Sequence, residues 1–418
     1  MECVNDSPDA AGSRKSRARR VRGSVANRDV AGKRRARKRH TVATVITASL
    51  VTLAVGTAGS VVLAYNNWND NLKYVDLAQQ LGDDRPEKEE VAGSREPLNI
   101  LVMGSDTREG ENNIDGLTGD GERSDTTILL HLSADRKRAY GVSIPRDTLV
   151  DRPTCYEEDG TAIEGSEAED VMWNEAFSVG GPACTIRQFE QNTDIRIDNY
   201  IVIDFQGFKD MVNALDGVEV CIPEDIEDPE HDITLEAGTR EIRDDEALSY
   251  VRVRYTVGDG TDPNRIRRQQ AFMAAMINKA VSAGMLVRPD RMVSFLNAVT
   301  GSIQTDYENI AELADLGTSF NGIGLDNIKF VTTPWVYSTA QEGRVEWTDQ
   351  VDELWQLVID DDPLSQEFAE DSISADDDPE GSTAPTSEAS EDPTDSGGKK
   401  DRDQGLSDDE RENAGLCT

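Results

Sequence analysis

Arginines are concentrated in one short stretch of this acidic chain. Residues 251–270, VRVRYTVGDGTDPNRIRRQQ, contain five arginines and no lysine, although the whole protein carries a formal net charge of −38. Arginine presents a planar, permanently charged fork that can bind two oxygens of a carboxylate or phosphate at once, which lysine cannot. The stretch therefore predicts a binding site for an anion.

A helix is predicted in the second half of this stretch. Asp262 followed by Pro263 is typical of a helix N-cap and first residue, and the helix is expected over residues 263–284. Three side chains then share one face near the positive end of the helix dipole, where phosphates bind. They are Arg265, Arg268 and Gln269.

The first half of the stretch allows two conformations. Arg252 and Arg254 share a side if the segment is extended, and they diverge if it is helical. A simpler interpretation of all five arginines is that they only neutralise acidic neighbours. The absence of lysine and the helix spacing favour a site.

Charge is distributed unevenly along the 418 residues. Residues 1–40 hold 13 Lys/Arg against 4 Asp/Glu, whereas residues 361–418 hold 19 Asp/Glu against 4 Lys/Arg, and the segment between them is also acidic. An acidic surface repels nucleic acid and other polyanions. We therefore expect no nucleic-acid partner, and a phosphate-bearing ligand must be held by a local basic cluster or a divalent metal.

An apolar segment follows the basic N-terminal arm. Residues 42–65 contain neither a charge nor a proline, and as a helix they would span roughly 36 Å, enough to cross a bilayer core of about 30 Å. The basic flank lies on the N-terminal side. The positive-inside rule then predicts a single-pass protein of the cell membrane, with a cytoplasmic N-terminus and everything after the helix outside.

These observations divide the chain into five predicted segments. In order they are a basic cytoplasmic arm (1–40), a transmembrane signal-anchor helix (41–65), a stalk (66–96), a folded catalytic domain that mixes strands and helices (97–360), and a disordered acidic tail (361–418).

Charged residues stand at the boundaries of the predicted strands. LNILVMG (98–104) leads to Asp106, Asp125 precedes TILLHLS (127–133), and Arg146 follows a third strand. Ligands commonly bind where strand ends meet loops. Carboxylates with hydroxyl neighbours suit Mg²⁺, with Mn²⁺ as the alternative, although aspartates in such loops often only form turns.

Several other chemistries lack their sequence signatures. The chain has no G-x-S-x-G elbow, P-loop or dinucleotide fingerprint, and its three histidines give no zinc or heme spacing. Of the five cysteines, Cys3 and Cys417 lie in segments predicted to be disordered. If the body is extracytoplasmic, we expect one disulfide, between Cys155 and Cys184, with Cys221 as a buried thiol.

The motifs in their order resemble the LytR-CpsA-Psr family of cell-wall glycopolymer ligases. NILVMGSD, RSDTTILLHLS, GVSIPRD, NEAFSVGGP, DGVEVCIP, ALSYVRVR and DPNRIRRQQ carry the resemblance over about residues 98–280. It implies a single α/β/α domain around a mixed sheet, with a hydrophobic pocket for a polyprenyl chain. It also implies Mg-dependent transfer of a glycopolymer from a polyprenyl-pyrophosphate carrier to a peptidoglycan hydroxyl, forming a phosphodiester.

The resemblance assigns roles residue by residue. Asp106 and Asp125 match the magnesium carboxylates, and the catalytic set adds four arginines to them: Arg146, Arg252, Arg254 and Arg265. The pyrophosphate-binding set comprises these four arginines together with Arg123, Asp262, Arg268 and Gln269. The proton acceptor is not identified, and Asp147 and Asp262 are candidates.

Three other functions remain open from the residues. The protein could hydrolyse a polyprenyl pyrophosphate, regulate gene expression through its basic arm, or bind wall polymer without catalysis. The resemblance favours the transferase, with a lipid-linked glycopolymer, peptidoglycan and the cytoplasmic membrane as partners.

Overall fold

The computed structural model describes residues 26–88, 91, 95–106, 124–167, 171–229, 231–254, 257, 262–282, 289–320, 322–381 and 405–418. Helix α1 spans Ala26–Asn71. Within the described ranges, one segment of it, Thr41–Asn71, is long and apolar enough to cross a membrane by length and composition. The predicted helix is therefore present as a candidate membrane span, and α1 begins inside the predicted basic arm. A separate compact unit begins at Tyr65.

Short strands dominate this second unit. They are β1 (Lys73–Tyr74), β2 (Leu98–Ser105), β3 (Ser124–Leu132), β4 (Ala139–Ile144), β5 (Cys155–Tyr156), β6 (Ala162–Ile163), β7 (Asn199–Asp204), β8 (Val218–Ile222), β9 (Ile226–Asp228), β10 (Ile233–Leu235), β11 (Gly238–Ile242), β12 (Ile303–Thr305), β13 (Ile328–Thr332), β14 (Trp335–Tyr337), β15 (Val345–Trp347) and β16 (Ile373–Ser374). Eight of them form one sheet in the order β1-β12-β7-β2-β3-β4-β13-β16. Parallel pairs such as β2 with β7 occur beside antiparallel pairs such as β2 with β3, so the sheet is mixed, as predicted.

Helices cover both faces of this sheet. They are α2 (Ala78–Leu81), α3 (Glu175–Thr193), α4 (Phe205–Ala214), α5 (Asp244–Arg252), α6 (Asp262–Ser282), α7 (Pro289–Ser302), α8 (Ile310–Phe320), α9 (Gln350–Ile359), α10 (Gln366–Glu370) and α11 (Asp408–Ala414). Helix α5 ends at Arg252, and Val253 is extended with φ −55° and ψ 137°. The segment is therefore helical as far as Arg252 and extended from Val253, so each of the two predicted conformations holds for part of it.

Alternation along one strand shows how the layers are made. Val331 of β13 belongs to a core cluster with Phe189 of α3 and Trp355 of α9. Its neighbour Phe330 belongs to another cluster, with Ala274 of α6. Successive side chains of a strand point to opposite faces. The central sheet is thus enclosed by helices on both sides, which confirms the predicted α/β/α arrangement.

Part of the predicted stalk belongs to the folded unit. Strand β1 pairs in parallel with β12 at the edge of the sheet. Leu77 and Leu81 are buried in the same core cluster as Phe189. A strand of two residues within a polar segment leaves no periodic pattern to detect. The predicted boundary at residue 96 therefore lies too late.

Folding also extends into the predicted tail. Strand β16 pairs antiparallel with β13 at the other sheet edge, and Phe368 of α10 is buried. Helix α11 begins with a capping box between Ser407 and Glu410. The predicted boundary at residue 360 therefore lies too early. The segment is acidic on average, but it contains a few apolar residues that are buried in the folded unit. Residues 382–404 lie outside the described part of the chain.

Two disulfides are present among the described residues. The pair Cys155–Cys184 confirms the prediction. The prediction that Cys221 is a free buried thiol is wrong, because it is bonded to Cys417. The error follows from the assignment of Cys417 to a disordered tail, since a C-terminus that folds back on β8 brings the two sulfur atoms together.

Candidate active site

A β-bulge positions one carboxylate at the end of the β2–β3 ladder. The register passes from Gly104 opposite Thr126 to Ser105 opposite Ser124. Asp125 is therefore an extra residue on β3. Bulges bend a strand and redirect its side chains, and they are frequent beside active sites.

The second predicted metal carboxylate comes from the neighbouring strand. Asp106 directly follows the last residue of β2. The structure thus brings Asp106 and Asp125 to the same end of two paired strands, as expected from the sequence. Arg123 lies outside the described residues, so its predicted role stays a prediction.

Arg146 connects three parts of the chain. It follows β4, and its Nη1 donates to Asp125 Oδ1 at 2.7 Å. Its Nε lies 3.4 Å from Asp262 Oδ1 and 3.8 Å from Asp147 Oδ2. One guanidinium therefore contacts carboxylates from β3, from the loop after β4 and from the start of α6.

The first turn of α6 contains a buried ion pair. Arg265 Nη2 lies 2.8 Å from Asp262 Oδ1, and each side chain is 6% exposed. The contact is at ion-pair distance but lacks hydrogen-bond geometry, since neither Asp262 oxygen has a hydrogen-bond partner among the described residues. Burial lowers the pKa of Arg265, and the nearby Asp262 opposes this effect. Removal of one partner from such a pair typically costs about 3–5 kcal/mol.

Gln269 ties α6 to two other elements of the site. Its Nε2 donates to the Val251 carbonyl at 3.0 Å, and its Oε1 accepts from Thr126 Oγ1 at 3.3 Å. On the preceding helix, the Arg252 guanidinium lies 4.9 Å from the centre of the Phe205 ring. Helix α6 is thereby fixed against the end of α5 and against β3, beside Asp125.

These residues line a cavity of about 340 Å³. Its charged and amide lining comes from Asp125, Asp204, Asp228, Arg146, Arg252, Arg254, Arg265 and Gln269. Most of the remaining wall is apolar, with contributions from Val102, Ile128, Ile203, Phe205, Phe208, Met211, Leu248, Phe272, Met273 and Met276. A concave site with a few convergent polar groups on an apolar wall is typical of ligand binding.

Arg268 lies elsewhere, although the sequence placed it in the anion-binding set. Its side chain is 1% exposed and does not line the cavity. It donates through Nη1 to the Ala414 carbonyl at 3.0 Å and through Nη2 to the Val253 carbonyl. Residues three apart on a helix differ by roughly 60° in direction, which is enough to turn Arg268 from the cavity towards the C-terminal segment.

The central pair of the site is held in its charged form. Burial alone would raise the pKa of Asp125, but the guanidinium groups of Arg146 and Arg265 outweigh it and lower the pKa. Burial likewise opposes the charge on Arg146, but Asp125 and Asp262 outweigh it and raise its pKa. The site therefore presents fixed charges at neutral pH.

Asp106 and Asp125 fit a magnesium ion in their donor chemistry. Carboxylate oxygens are the ligands that Mg²⁺ prefers, and Mg²⁺ usually keeps several waters and shares substrate phosphates. No group of three or more acidic, histidine or cysteine side chains arranged for a metal occurs among the described residues. A magnesium ion held by these two aspartates would accordingly need water and phosphate oxygens to complete its shell.

Two further contacts near the site were not predicted from the sequence. Arg344 Nη1 lies 3.4 Å from Asp147 Oδ1, although the two residues are far apart in the chain. At the cavity wall, His231 Nδ1 lies 2.9 Å from Asp228 Oδ2. The Arg344–Asp147 contact depends on the bridge between Thr148 and Val345, which joins distant parts of the chain. His231 and Asp228 are only three residues apart, but neither forms part of a motif.

Comparison with known proteins gives consistent matches. The model described as the LytR_cpsA_psr family matches residues 64–359. The chain is 32% identical to the probable cell wall biosynthesis protein LcpB of Corynebacterium glutamicum, over 54% of this chain and 52% of that one. It is 31% identical to the polyisoprenyl-teichoic acid–peptidoglycan teichoic acid transferase TagU of Bacillus cereus, over 72% of this chain and 92% of that one.

The extent of these matches differs between relatives. The match spans about half the length of the Corynebacterium glutamicum proteins LcpB and LcpA, at 52% of each. Among solved structures, the protein gbs0355 from Streptococcus agalactiae matches with a TM-score of 0.51 and 23% identity, over 65% of this chain and 90% of that chain. At this identity the likeness concerns the fold.

Proposed function

Because the chain belongs to the LytR_cpsA_psr family, we propose that it is a membrane-anchored phosphotransferase. It moves a glycopolymer from a polyprenyl-pyrophosphate carrier onto a hydroxyl of peptidoglycan and forms a phosphodiester. The name of the related Bacillus cereus protein, a polyisoprenyl-teichoic acid–peptidoglycan teichoic acid transferase, supports this reaction class. The observation that carries the proposal is one cavity that joins a group of arginines to a long apolar wall.

The two parts of the cavity suit the two parts of such a donor. Four guanidinium groups and the Gln269 amide surround the place where a pyrophosphate would bind. The apolar wall suits the polyprenyl chain, and its methionines are flexible enough to follow an irregular lipid. A headgroup and a tail are thus recognised by different chemistry within one site.

The reaction needs little covalent chemistry from the protein. A saccharide hydroxyl attacks the phosphorus that carries the glycopolymer, the bond to the bridging oxygen breaks, and polyprenyl phosphate leaves. Arginines stabilise the charge that develops on the phosphate oxygens. We assign the hydroxyl proton to Asp262, whose oxygens lack a hydrogen-bond partner among the described residues. Both candidates lie beside arginines, but Asp147 also accepts a hydrogen bond from Arg344 Nη1 at 3.4 Å.

Magnesium is part of the proposal. Asp106 and Asp125 would hold the ion, and when bound it would neutralise part of the pyrophosphate charge. Arg146 would then hold Asp125 in place through its contact of 2.7 Å.

The proposed topology follows from the N-terminal charge. The basic arm precedes the apolar helix, so the N-terminus lies in the cytoplasm and the catalytic unit lies outside. The Cys155–Cys184 and Cys221–Cys417 disulfides support an oxidising, extracytoplasmic location.

The test supplies the full-length protein in detergent micelles with Mg²⁺, peptidoglycan and a lipid-linked polymer labelled in its sugar. We expect label to become covalently attached to peptidoglycan, and Arg265→Ala to abolish the attachment. Release of unattached labelled polymer, with or without peptidoglycan, would instead identify a polyprenyl-pyrophosphate hydrolase. If the label is neither attached to peptidoglycan nor released from the lipid, catalysis on this donor is excluded.

A further inference from the structure

A second cavity, of about 450 Å³, begins at the N-terminal end of α6. We propose that it is the acceptor subsite and that it binds an uncharged saccharide, an inference that rests on the proposed function. Its lining includes Asn264, Trp335, Thr348 and Glu367. All of its lining residues belong to the unit that begins at Tyr65.

The first argument is position. Pro263 lines this second cavity, and the preceding residue, Asp262, is in the arginine site. The second cavity therefore starts where the arginine site ends. A sugar bound in it would place a hydroxyl next to the carboxylate to which we assign the proton.

The second argument is a direct connection through the β14–β15 hairpin. Val345 N donates to the Asp147 carbonyl at 3.2 Å, and Leu149 N donates to the Val345 carbonyl at 2.9 Å. The loop that carries Arg146 is thus hydrogen-bonded to the hairpin that carries Trp335. Backbone hydrogen bonds therefore connect the two sites, and the Arg344–Asp147 side-chain contact joins the same two segments.

The third argument is the chemistry of the lining. Trp335 is half-buried at the cavity, and its ring lies 5.1 Å from that of exposed Tyr337, edge to face. Sugar rings pack their apolar C–H faces on such aromatic surfaces while their hydroxyls hydrogen-bond to polar groups. Thr348 Oγ1 is buried without a hydrogen-bond partner among the described residues, so it is available to a ligand hydroxyl.

The fourth argument is charge. Glu367, Asp371 and Glu410 line the cavity, and only Arg267 opposes them among its described lining residues. Arg267 Nη2 already lies 2.5 Å from Asp371 and 3.6 Å from Glu410. An anionic polymer would be repelled here, whereas a neutral saccharide would accept hydrogen bonds and donate them to the carboxylates. The anionic donor and the neutral acceptor are thereby directed to different cavities.

The kinetic test uses the full-length protein in detergent micelles with variable concentrations of soluble peptidoglycan fragments. For Trp335→Ala we expect the KM for the fragments to rise about tenfold or more, a loss of about 1.4 kcal/mol. The KM for the lipid donor should not change. Thr348→Val, which removes only the hydroxyl function, should raise the fragment KM in the same direction. Val336→Thr is the matched control, because Val336 lies on the opposite side of β14 from Trp335 and should leave both constants unchanged.

A binding measurement separates this inference from the proposed function. Calorimetric titration of fragments into the protein without donor should show weaker binding for Trp335→Ala and Thr348→Val, even if the wild type transfers nothing. Wild-type affinity and wild-type fragment KM in both variants, with unchanged Tm, would overturn the acceptor subsite while leaving the transferase intact. Equal affinity for an anionic polysaccharide would overturn its assignment to an uncharged sugar.

Discussion

Arg146 is the residue on which the charges of the site converge. Its guanidinium lies within 3.8 Å of three carboxylates, those of Asp125, Asp147 and Asp262. Asp204 and Asp228 also line the cavity, so its four arginines face at least as many carboxylates and the site has no excess of positive charge before any ligand binds. A pyrophosphate adds negative charge, and this excess is a physical reason to expect a divalent cation beside it.

At Arg252, we expect substitution by alanine to weaken donor binding without unfolding the protein. The side chain is half-buried and stacks on Phe205 at the cavity wall. Loss of hydrogen bonds to a charged phosphate typically costs about 1.5–3 kcal/mol, so the donor KM should rise about tenfold to a hundredfold. Steady-state kinetics with varied lipid donor measure this. Arg187→Ala is the control, since that guanidinium also stacks on a ring, that of Tyr156, away from the cavity.

The lowered pKa of Asp125 has a consequence for acid stability. An acid whose pKa is lower in the folded state contributes stability above its unfolded value, here about 3.8, and loses it as the pH falls through the folded pKa. The difference in unfolding free energy between wild type and Asp125→Asn should therefore be constant at neutral pH and shrink below about pH 3.8. Urea titrations from pH 7 to pH 3 measure it.

Asp306 provides the control of opposite sign. Burial raises the pKa of Asp306, so its contribution is present below about pH 3.8 and is lost as the pH rises through the folded pKa. The unfolding free energy of the wild type relative to Asp306→Asn should therefore increase as the pH falls over this range, whereas relative to Asp125→Asn it should decrease. Parallel curves for the two variants would contradict the charge assignment at Asp125.

Single residues also show what sequence could establish. The shared helix face of Arg265 and Gln269 follows from their spacing, and the structure brings both to the cavity. Arg268 has the same type and nearly the same spacing, but its partners are the carbonyls of Val253 and Ala414. Backbone acceptors have no residue type, so no sequence pattern distinguishes a structural arginine from one that binds phosphate.

At the scale of elements, α6 presents two different arginine faces. Arg265 and Gln269 line the cavity, whereas Arg267 and Arg268 contact the C-terminal residues. The helix that we propose to bind the pyrophosphate is thus itself in contact with the C-terminal segment. The sequence predicted α6 and its start. It did not predict the C-terminal segment that packs against α6, because composition assigned that segment to a disordered tail.

Gly415 tests the packing between the C-terminal segment and the arginine stretch. It has φ +70°, and a β-carbon there would lie 2.1 Å from Val257 Cγ1. We expect Gly415→Ala to lower the free energy of unfolding by about 1–3 kcal/mol, since an overpacked contact adds to the backbone preference for glycine. Gly343→Ala is the control, because it has φ +78° but open space around it. Equal changes in Tm for the two variants would show that the packing is loose.

The strands of the central sheet differ in how well sequence identifies them. Strands β2, β3 and β4 were predicted because each is a long apolar run. Strands β1 and β16 contain two residues each, and their pairing with β12 and β13 depends on distant parts of the chain. Length and burial decide which strands leave a detectable pattern.

For the whole molecule, the two disulfides should differ in their effect. Cys221–Cys417 closes a separation of 196 residues, and Cys155–Cys184 closes one of 29. If disulfides act mainly by restricting the unfolded chain, the longer loop stabilises by about 2 kcal/mol more. Cys417→Ser should then lower the free energy of unfolding more than Cys184→Ser does, as measured in urea without reductant. The reverse order would indicate that local packing outweighs chain entropy.

The Cys221–Cys417 bond also determines the covalent topology of the acidic C-terminal region. Residues 381 and 405 both lie in described parts of the chain, and Cys417 is covalently fixed to β8. Residues 382–404 therefore belong to a closed ring rather than to a free end. A protease that cuts anywhere within them would leave one covalent molecule on a non-reducing gel, and two fragments would separate only after reduction.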